Sequence, residues 1–156
     1  AEGVNYGLEI NMDMDLSETL NLFANLGFLE TEIKNWKSRP DLEGRAQAHA
    51  PKRSYAVGLN WNPTVNYYLR LDVTGKSSFY YSDSHDKQSD SYSLTNLSLG
   101  YKQDKWNTEF WVRNAFDKYY SVRGFYFGNE PPNFEDTLYQ RHGDPRHYGI
   151  SLRYDF

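Results

Sequence analysis

The sequence has no cysteine, which excludes both a disulfide framework and a thiolate-bound metal. It also has no apolar run approaching the ~20 residues that a membrane-spanning helix requires, because charges and amides interrupt every stretch. Basic residues are not in excess. The formal net charge of −4 argues against a nucleic-acid partner, which would select for clustered Lys and Arg. Gly-rich phosphate loops and nucleophile elbows are missing, so no enzyme class is indicated. The opening residues, Ala1 to Gly7, lack the basic start and apolar core of a secretory leader. For an exported protein, such a leader is expected to have been removed or to lie upstream.

What the chain does contain is aromatic side chains. Its 156 residues fit one domain, with 17% aromatic residues and 14 tyrosines, far from the composition of a disordered chain. Mean hydropathy is −0.84, too polar for a helical membrane protein. A barrel strand removes the contradiction, because it alternates lipid-facing with lumen-facing residues and averages out as hydrophilic.

Alternation is visible along nearly the whole chain. At the C-terminus Tyr148, Ile150, Leu152, Tyr154 and Phe156 fall on one face, and His147, Gly149, Ser151, Arg153 and Asp155 on the other. This period of two marks a strand. Similar runs start at Val4, Leu20, Tyr55, Tyr67, Leu97 and Trp106, giving seven strands. Tyr92 and Leu94 are out of phase with Leu97, Leu99 and Tyr101, which predicts a bulge near Thr95 and Asn96. Connections at 15–18, 62–64 and 103–105 are tight, whereas 36–51, 82–90 and the stretch after Gly124 are long and polar. Aromatics gather at strand ends: Trp61, Tyr67, Tyr101, Trp106 and Phe156 near the short turns; Tyr55, Phe79, Tyr81, Tyr92 and Tyr148 near the long loops. Strands of ~9–11 residues, short turns opposite long loops, and two aromatic girdles describe an all-β, antiparallel transmembrane β-barrel segment. A soluble antiparallel sandwich, the competing reading, does not call for these three features together.

The stretch from Trp111 to Tyr120 resembles the W-x-x-N-x-F-D-K-x-Y signature of TonB-dependent receptors, through Trp111, Asn114, Phe116, Asp117, Lys118 and Tyr120. The later run from Val122 to Pro132, the Gly143-Asp144-Pro145-Arg146 entry to the last strand and the terminal Phe156 are similar to the closing segment of these receptors. Looser matches lie at Leu22 to Leu29 and at Ala50 to Tyr55. The resemblance implies that residues 1–156 are the C-terminal portion of a larger barrel, without its plug domain and TonB box. Parity agrees, since the first and last of seven strands run in the same direction and cannot pair antiparallel. It further implies an outer-membrane location and uptake of a scarce nutrient, such as an iron–siderophore complex. The implied partners are outer-membrane lipid, the rest of the barrel and plug, the TonB complex and the barrel-assembly machinery, with no cofactor.

Candidate sites follow from composition and position. Phe125, Tyr126 and Phe127, beside Asn129 and Glu130, form an aromatic loop suited to stacking on a flat ligand, with packing over the barrel rim as the plainer account. Phe156 resembles the terminal aromatic read during barrel insertion. Arg70, Asp72, Lys76, Arg113 and Arg153 read as a hydrogen-bonded lumen wall, whereas Leu59, Leu71, Leu99, Val112 and Leu152 are assigned to lipid. His49, His85, His142 and His147 lie in or beside loops, without metal-ligand spacing. Asp83, His85, Asp86 and Asp90 form an acidic cluster that offers calcium ligands or simply a solvated loop. Two alternatives remain. One is an autonomous small barrel with a structural or adhesive role, closable if Tyr120 to Phe127 supplies an eighth strand. The other is a barrel enzyme, for which no Ser–His–acid or paired-carboxylate set can be assembled.

Overall fold

A computed structural model describes residues 1–156. In chain order the strands are β1 (Glu2–Ser17), β2 (Leu20–Asn35), β3 (Arg53–Trp61), β4 (Tyr67–Lys76), β5 (Tyr92–Gln103), β6 (Trp106–Arg113), β7 (Ser121–Phe127), β8 (Thr137–His142) and β9 (His147–Tyr154). Seven of them form one sheet in the order β1-β2-β3-β4-β5-β6-β9, and β7 and β8 form a separate hairpin. All neighbours are antiparallel. The sheet is an open wall, because β1 and β9 have no partner on their outer edges.

Residues paired across an antiparallel ladder share a face, so the registers assign each side of the wall. One row runs Met14, Leu22, Leu59, Leu71, Leu97, Val112, Tyr148 across all seven strands. The opposite face carries Asn21, Asn60, Arg70, Ser98, Trp111 and Gly149 at a neighbouring level. Exposure is inverted relative to a water-soluble sheet. Phe110, Ile150 and Leu152 are 42, 74 and 64% exposed, whereas Asp72 and Ser98 on the polar face are 8 and 4% exposed.

Polar groups on the sheltered face satisfy one another. The Arg70 Nε lies 3.3 Å from Asp72 Oδ1, and Asn96 Nδ2 donates to Asp72 Oδ2 at 2.7 Å. The Arg70 guanidinium also covers the Phe23 ring at 4.7 Å. One strand further, the Tyr68 ring lies flat on Gly100, where any side chain would collide with it. This lets the Tyr68 hydroxyl donate to Asn107 and Glu109 at 3.2 and 3.0 Å. The inward assignment of Arg70, Asp72, Arg113 and Arg153 is consistent with these registers.

The signature segment is a structural clamp. Asn114 ends β6 at φ 48° and is 3% exposed. Its Nδ2 donates to the carbonyls of Lys118 and Asp144 at 2.9 and 3.1 Å, and its Oδ1 accepts from Lys118 N at 2.8 Å. Asp117 Oδ1 accepts from Arg146 N at 2.8 Å. Asn and Asp tolerate the left-handed backbone and accept main-chain donors. Together the two side chains close the base of the excursion between β6 and β9.

Four expectations need correction. The β4–β5 register is continuous from Tyr67↔Tyr101 to Lys76↔Tyr92, with no bulge at Thr95 or Asn96. Tyr92 and Leu94 instead point to the polar face, where the Lys76 ammonium covers the Tyr92 ring at 5.5 Å. Tyr92 therefore leaves the outer girdle, as do Phe79 and Tyr81, which are 4 and 2% exposed inside a loop cluster. The extra strand near Tyr120 to Phe127 exists as β7, but it pairs with β8 and not with the wall. Finally, the first turn is tighter than expected, because β1 continues to Ser17 and β2 begins at Leu20. At the short-turn end the girdle holds: Tyr67 packs on Tyr101 at 4.8 Å, Trp106 on Tyr154 at 4.7 Å, and Tyr154 on Phe156 at 5.1 Å.

Two outcomes are expected. Leu71→Arg, at mid-height on the apolar face, should destabilise the membrane-inserted protein by ~2–4 kcal/mol, and Asn60→Arg on the polar face far less. Urea titration of both variants in lipid measures the difference, and equal losses would refute the facial assignment. Asn114→Ala removes three side-chain hydrogen bonds and should cost about 2–3 kcal/mol, read as a lower urea midpoint of the intact receptor in detergent.

Candidate functional site

The three long connections meet at the end of the wall opposite the tight turns. Arg45 joins the first two. Its guanidinium covers the Tyr80 ring at 3.9 Å, donates from Nη2 to the Ser82 carbonyl at 3.2 Å and to that of His85, and pairs with Asp86 at 3.1 Å. Only 10% of the Arg45 side chain is exposed. Three acceptor oxygens and one ring around a planar cation fix the loop geometry in a way a lysine would not reproduce. Ala48 N donates to Asp83 Oδ1 at 2.7 Å, and His49 N to the Tyr80 carbonyl at 2.9 Å.

From the polar face of the wall, a stack of rings leads outward. The Lys76 ammonium lies 4.8 Å from the Phe79 centroid. Phe79 meets His49 at 5.6 Å and Tyr81 edge-on at 5.7 Å. Burial against these rings pushes the His49 pKa down, and the nearby Arg123 cation lowers it further, with Asp83 opposing. Tyr81 then packs on Gly124 of β7 and accepts a hydrogen bond from Gln140 Nε2 of β8 at 2.6 Å. The hairpin is thus rooted on residues that continue the polar face. A second root runs from Tyr92 to Tyr120 at 4.5 Å, with Tyr120 against Gly143.

Alternation divides the predicted aromatic trio. Tyr126 belongs to the docked face and stacks on His85 at 3.7 Å and 5°. His85 Nε2 lies 3.5 Å from Asp136 Oδ2, and its Nδ1 is 3.0 Å from Ser82 Oγ. Phe125 and Phe127 point away and are 53 and 56% exposed. Phe125 stacks on Tyr139 at 5.8 Å, and the Tyr139 hydroxyl donates to Glu130 Oε1 at 3.0 Å. That hydrogen bond to a carboxylate raises the Tyr139 pKa. Arg123 pairs with Arg141 on this same exposed face. Asn129 sits in the connection beyond β7. The free face therefore presents two phenylalanines, a tyrosine and two guanidinium groups.

The acidic cluster is engaged elsewhere. Asp83 accepts from Ala48, Asp86 pairs with Arg45, and His85 stacks on Tyr126; Asp90 joins none of them. No group of three or more His, Asp or Glu side chains is arranged to hold a metal ion. His142 stacks on Tyr119 at 4.4 Å, and His147 meets Trp111 at 5.7 Å. Sequence reasoning missed Arg45, Gln140 and strand β8. Arg45 has no local pattern to betray it, and Thr137 to His142 is too short and polar to register as a strand.

Comparison with known proteins places this architecture. A family model described as the β-barrel of TonB-dependent-like receptors matches residues 1–115. The siderophore receptor PiuA from Acinetobacter baumannii is similar over 97% of this chain, with a TM-score of 0.82 at 13% identity. The ferric yersiniabactin uptake receptor FyuA from Yersinia pestis is similar over 99%, with a TM-score of 0.83 at 19% identity. BauA, the ferric preacinetobactin receptor from Acinetobacter baumannii, is similar over 99%, with a TM-score of 0.75 at 21% identity. The chain spans 22, 24 and 22% of the length of these three structures, respectively. At such identities the likeness is one of fold, and this fold and family are those of receptors and transporters rather than enzymes. With the family model covering most of its strands, the chain belongs to the TonB-dependent receptor β-barrel family.

Proposed function

We propose that this chain forms one wall of an outer-membrane receptor that takes up a scarce nutrient such as an iron–siderophore complex, driven through a plug and the TonB complex. The observation that carries the reading is the hairpin. It is rooted on the lumen-side residues Lys76 and Tyr92 and holds Phe125, Phe127, Tyr139, Arg123 and Arg141 free. Aromatic faces beside cations suit a flat, anionic ligand, which gains both stacking and charge attraction. The siderophore and ferric-complex receptors among its structural neighbours agree with that chemistry.

Residues 1–156 act as the C-terminal portion of that receptor's barrel. Arg70, Asp72, Arg113 and Arg153 line the lumen, where a plug is their natural neighbour. Phe125 and Phe127, together with Glu130 through Tyr139, form the ligand contact. Asn129 shapes the connection, and Tyr126 is a positioning residue through its stack on His85.

Uptake of radioiron by iron-starved cells, with and without the intact receptor, tests the function using a panel of ferric siderophores. Replacing both Phe125 and Phe127 by Ala should weaken binding of the cognate complex roughly tenfold, from two aromatic contacts of ~0.5–1.5 kcal/mol each, at unchanged surface levels. Unchanged affinity would remove the hairpin from the ligand site.

Assembly has its own signal. Phe156 is fully exposed and packs edge-on to Tyr154 at 5.1 Å, a terminal aromatic accessible to the barrel-assembly machinery. Deleting Phe156 should lower the amount of receptor assembled in the outer membrane, while the assembled fraction keeps its ligand affinity. Quantitative immunoblots of outer-membrane fractions measure this; normal levels would reduce Phe156 to a girdle residue.

A further inference from the structure

At the long-loop end of the wall lies a cleft lined mainly from the apolar face. Its volume is 510 Å³; Arg53, Tyr55, Ser77, Ser91, Ser93 and Lys118 line it, with Lys76 and Tyr92 entering from the polar-face side. The registers fix its side. Leu8 pairs with Phe28 and Phe28 with Arg53, while Tyr55 pairs with Gly75 and Gly75 with Ser93. Arg53, Tyr55 and Ser93 therefore terminate the apolar rows at the level where the strands give way to loops.

The site is organised. Tyr55 lies across Gly75, where a Cβ would collide with the phenol ring, and its hydroxyl meets Ser93 Oγ at 2.5 Å. Ser77 Oγ accepts from Arg53 N at 3.1 Å, and Ser77 N donates to the Arg53 carbonyl at 2.9 Å. Arg53 and Lys118 are exposed, form no ion pair, and share the cleft with no carboxylate. A second cleft of 610 Å³ begins at Arg53 and is lined by Tyr6, Leu8 and Phe28. Its one acid, Glu30, is neutralised by Lys52 at 2.9 Å. Two free cations and a row of hydroxyls thus cap an apolar groove.

We propose that this pair of clefts binds a phosphorylated lipid of the outer leaflet. Arg53 and Lys118 take the phosphate, the Tyr55, Ser77 and Ser93 hydroxyls take further headgroup oxygens, and the Tyr6–Leu8–Phe28 groove takes an acyl chain. Arginine suits phosphate because its planar donors engage two oxygens at once. A cation at this height reaches the headgroup layer without entering hydrocarbon. The proposal rests on the reading that the barrel sits in the outer membrane.

The test uses the intact receptor that carries this chain, extracted from outer membranes, as wild type and as Arg53→Gln/Lys118→Gln. Co-purifying phosphorylated lipid is quantified by mass spectrometry. Purified receptor is then titrated with neutral vesicles containing a phosphoglycolipid, the same lipid stripped of phosphate, or inorganic phosphate as competitor. The double variant should retain about tenfold less lipid, the equivalent of ~1.4 kcal/mol, and Lys118→Gln alone an intermediate amount. The stripped lipid should bind wild type as poorly as the native lipid binds the double variant. Lys37→Gln/Lys87→Gln, which removes equal charge from the loops, should retain lipid normally. Equal retention by the Arg53/Lys118 variant, or equal loss in the loop control, overturns the site. Displacement of the lipid by millimolar inorganic phosphate reassigns the cleft to a free anion and overturns the lipid. Failure of the wild-type receptor to enter the outer membrane is a separate result, overturning the barrel reading first.

Discussion

Backbone hydrogen bonding is the constraint from which the rest of this structure follows. Peptide groups in hydrocarbon have no water to turn to, and each one left unpaired costs several kcal/mol. The chain responds with a ladder: 67 of its 85 main-chain hydrogen bonds lie within regular elements, and the outer edges of β1 and β9 stay without a partner. Those edges, on β1 and β9, face the same strand direction and do not pair with each other. Closing the ladder between these two edges would take further strands.

Once the ladder fixes register, everything else is a choice of face. Six successive pairings carry Met14 to Tyr148 in one unbroken apolar row. A single-residue slip in any of them would turn a neighbouring strand's apolar set toward the lumen. The opposite face can then hold charge at little cost, because Arg70, Asp72 and Asn96 satisfy one another. Polar pairing inside and apolar rows outside are two consequences of the same alternation.

The loops obey a different rule. They bury Leu42, Phe79 and Tyr81 and are held by single polar anchors, chiefly Arg45 between the first two and Asn114 at the base of the third. Rings supply the remaining contacts, from Lys76 through Phe79 and Tyr81 to the hairpin. Rigid anchors at the loop bases leave the free hairpin face exposed without loss of order, an arrangement suited to a surface that meets ligands.

By itself, the sequence determined the seven strands of the wall, most of their facial assignment and the turn–loop asymmetry, because a period of two is a local property. The W-x-x-N-x-F-D motif was likewise legible, although its role as a clamp needed Asp144 and Arg146, some thirty residues away. Tertiary structure alone decided the rest. Tyr92 and Leu94 looked like the product of a bulge, but a continuous ladder simply turns them inward beside Lys76. Tyr81 and Phe79 looked like girdle residues, yet contacts with His49 and Gln140 bury them. The aromatic trio was found by composition, but its division into a docked Tyr126 and a free Phe125 and Phe127 depended on pairing with β8. Such outcomes turn on contacts between distant segments, for which a local pattern carries no signal.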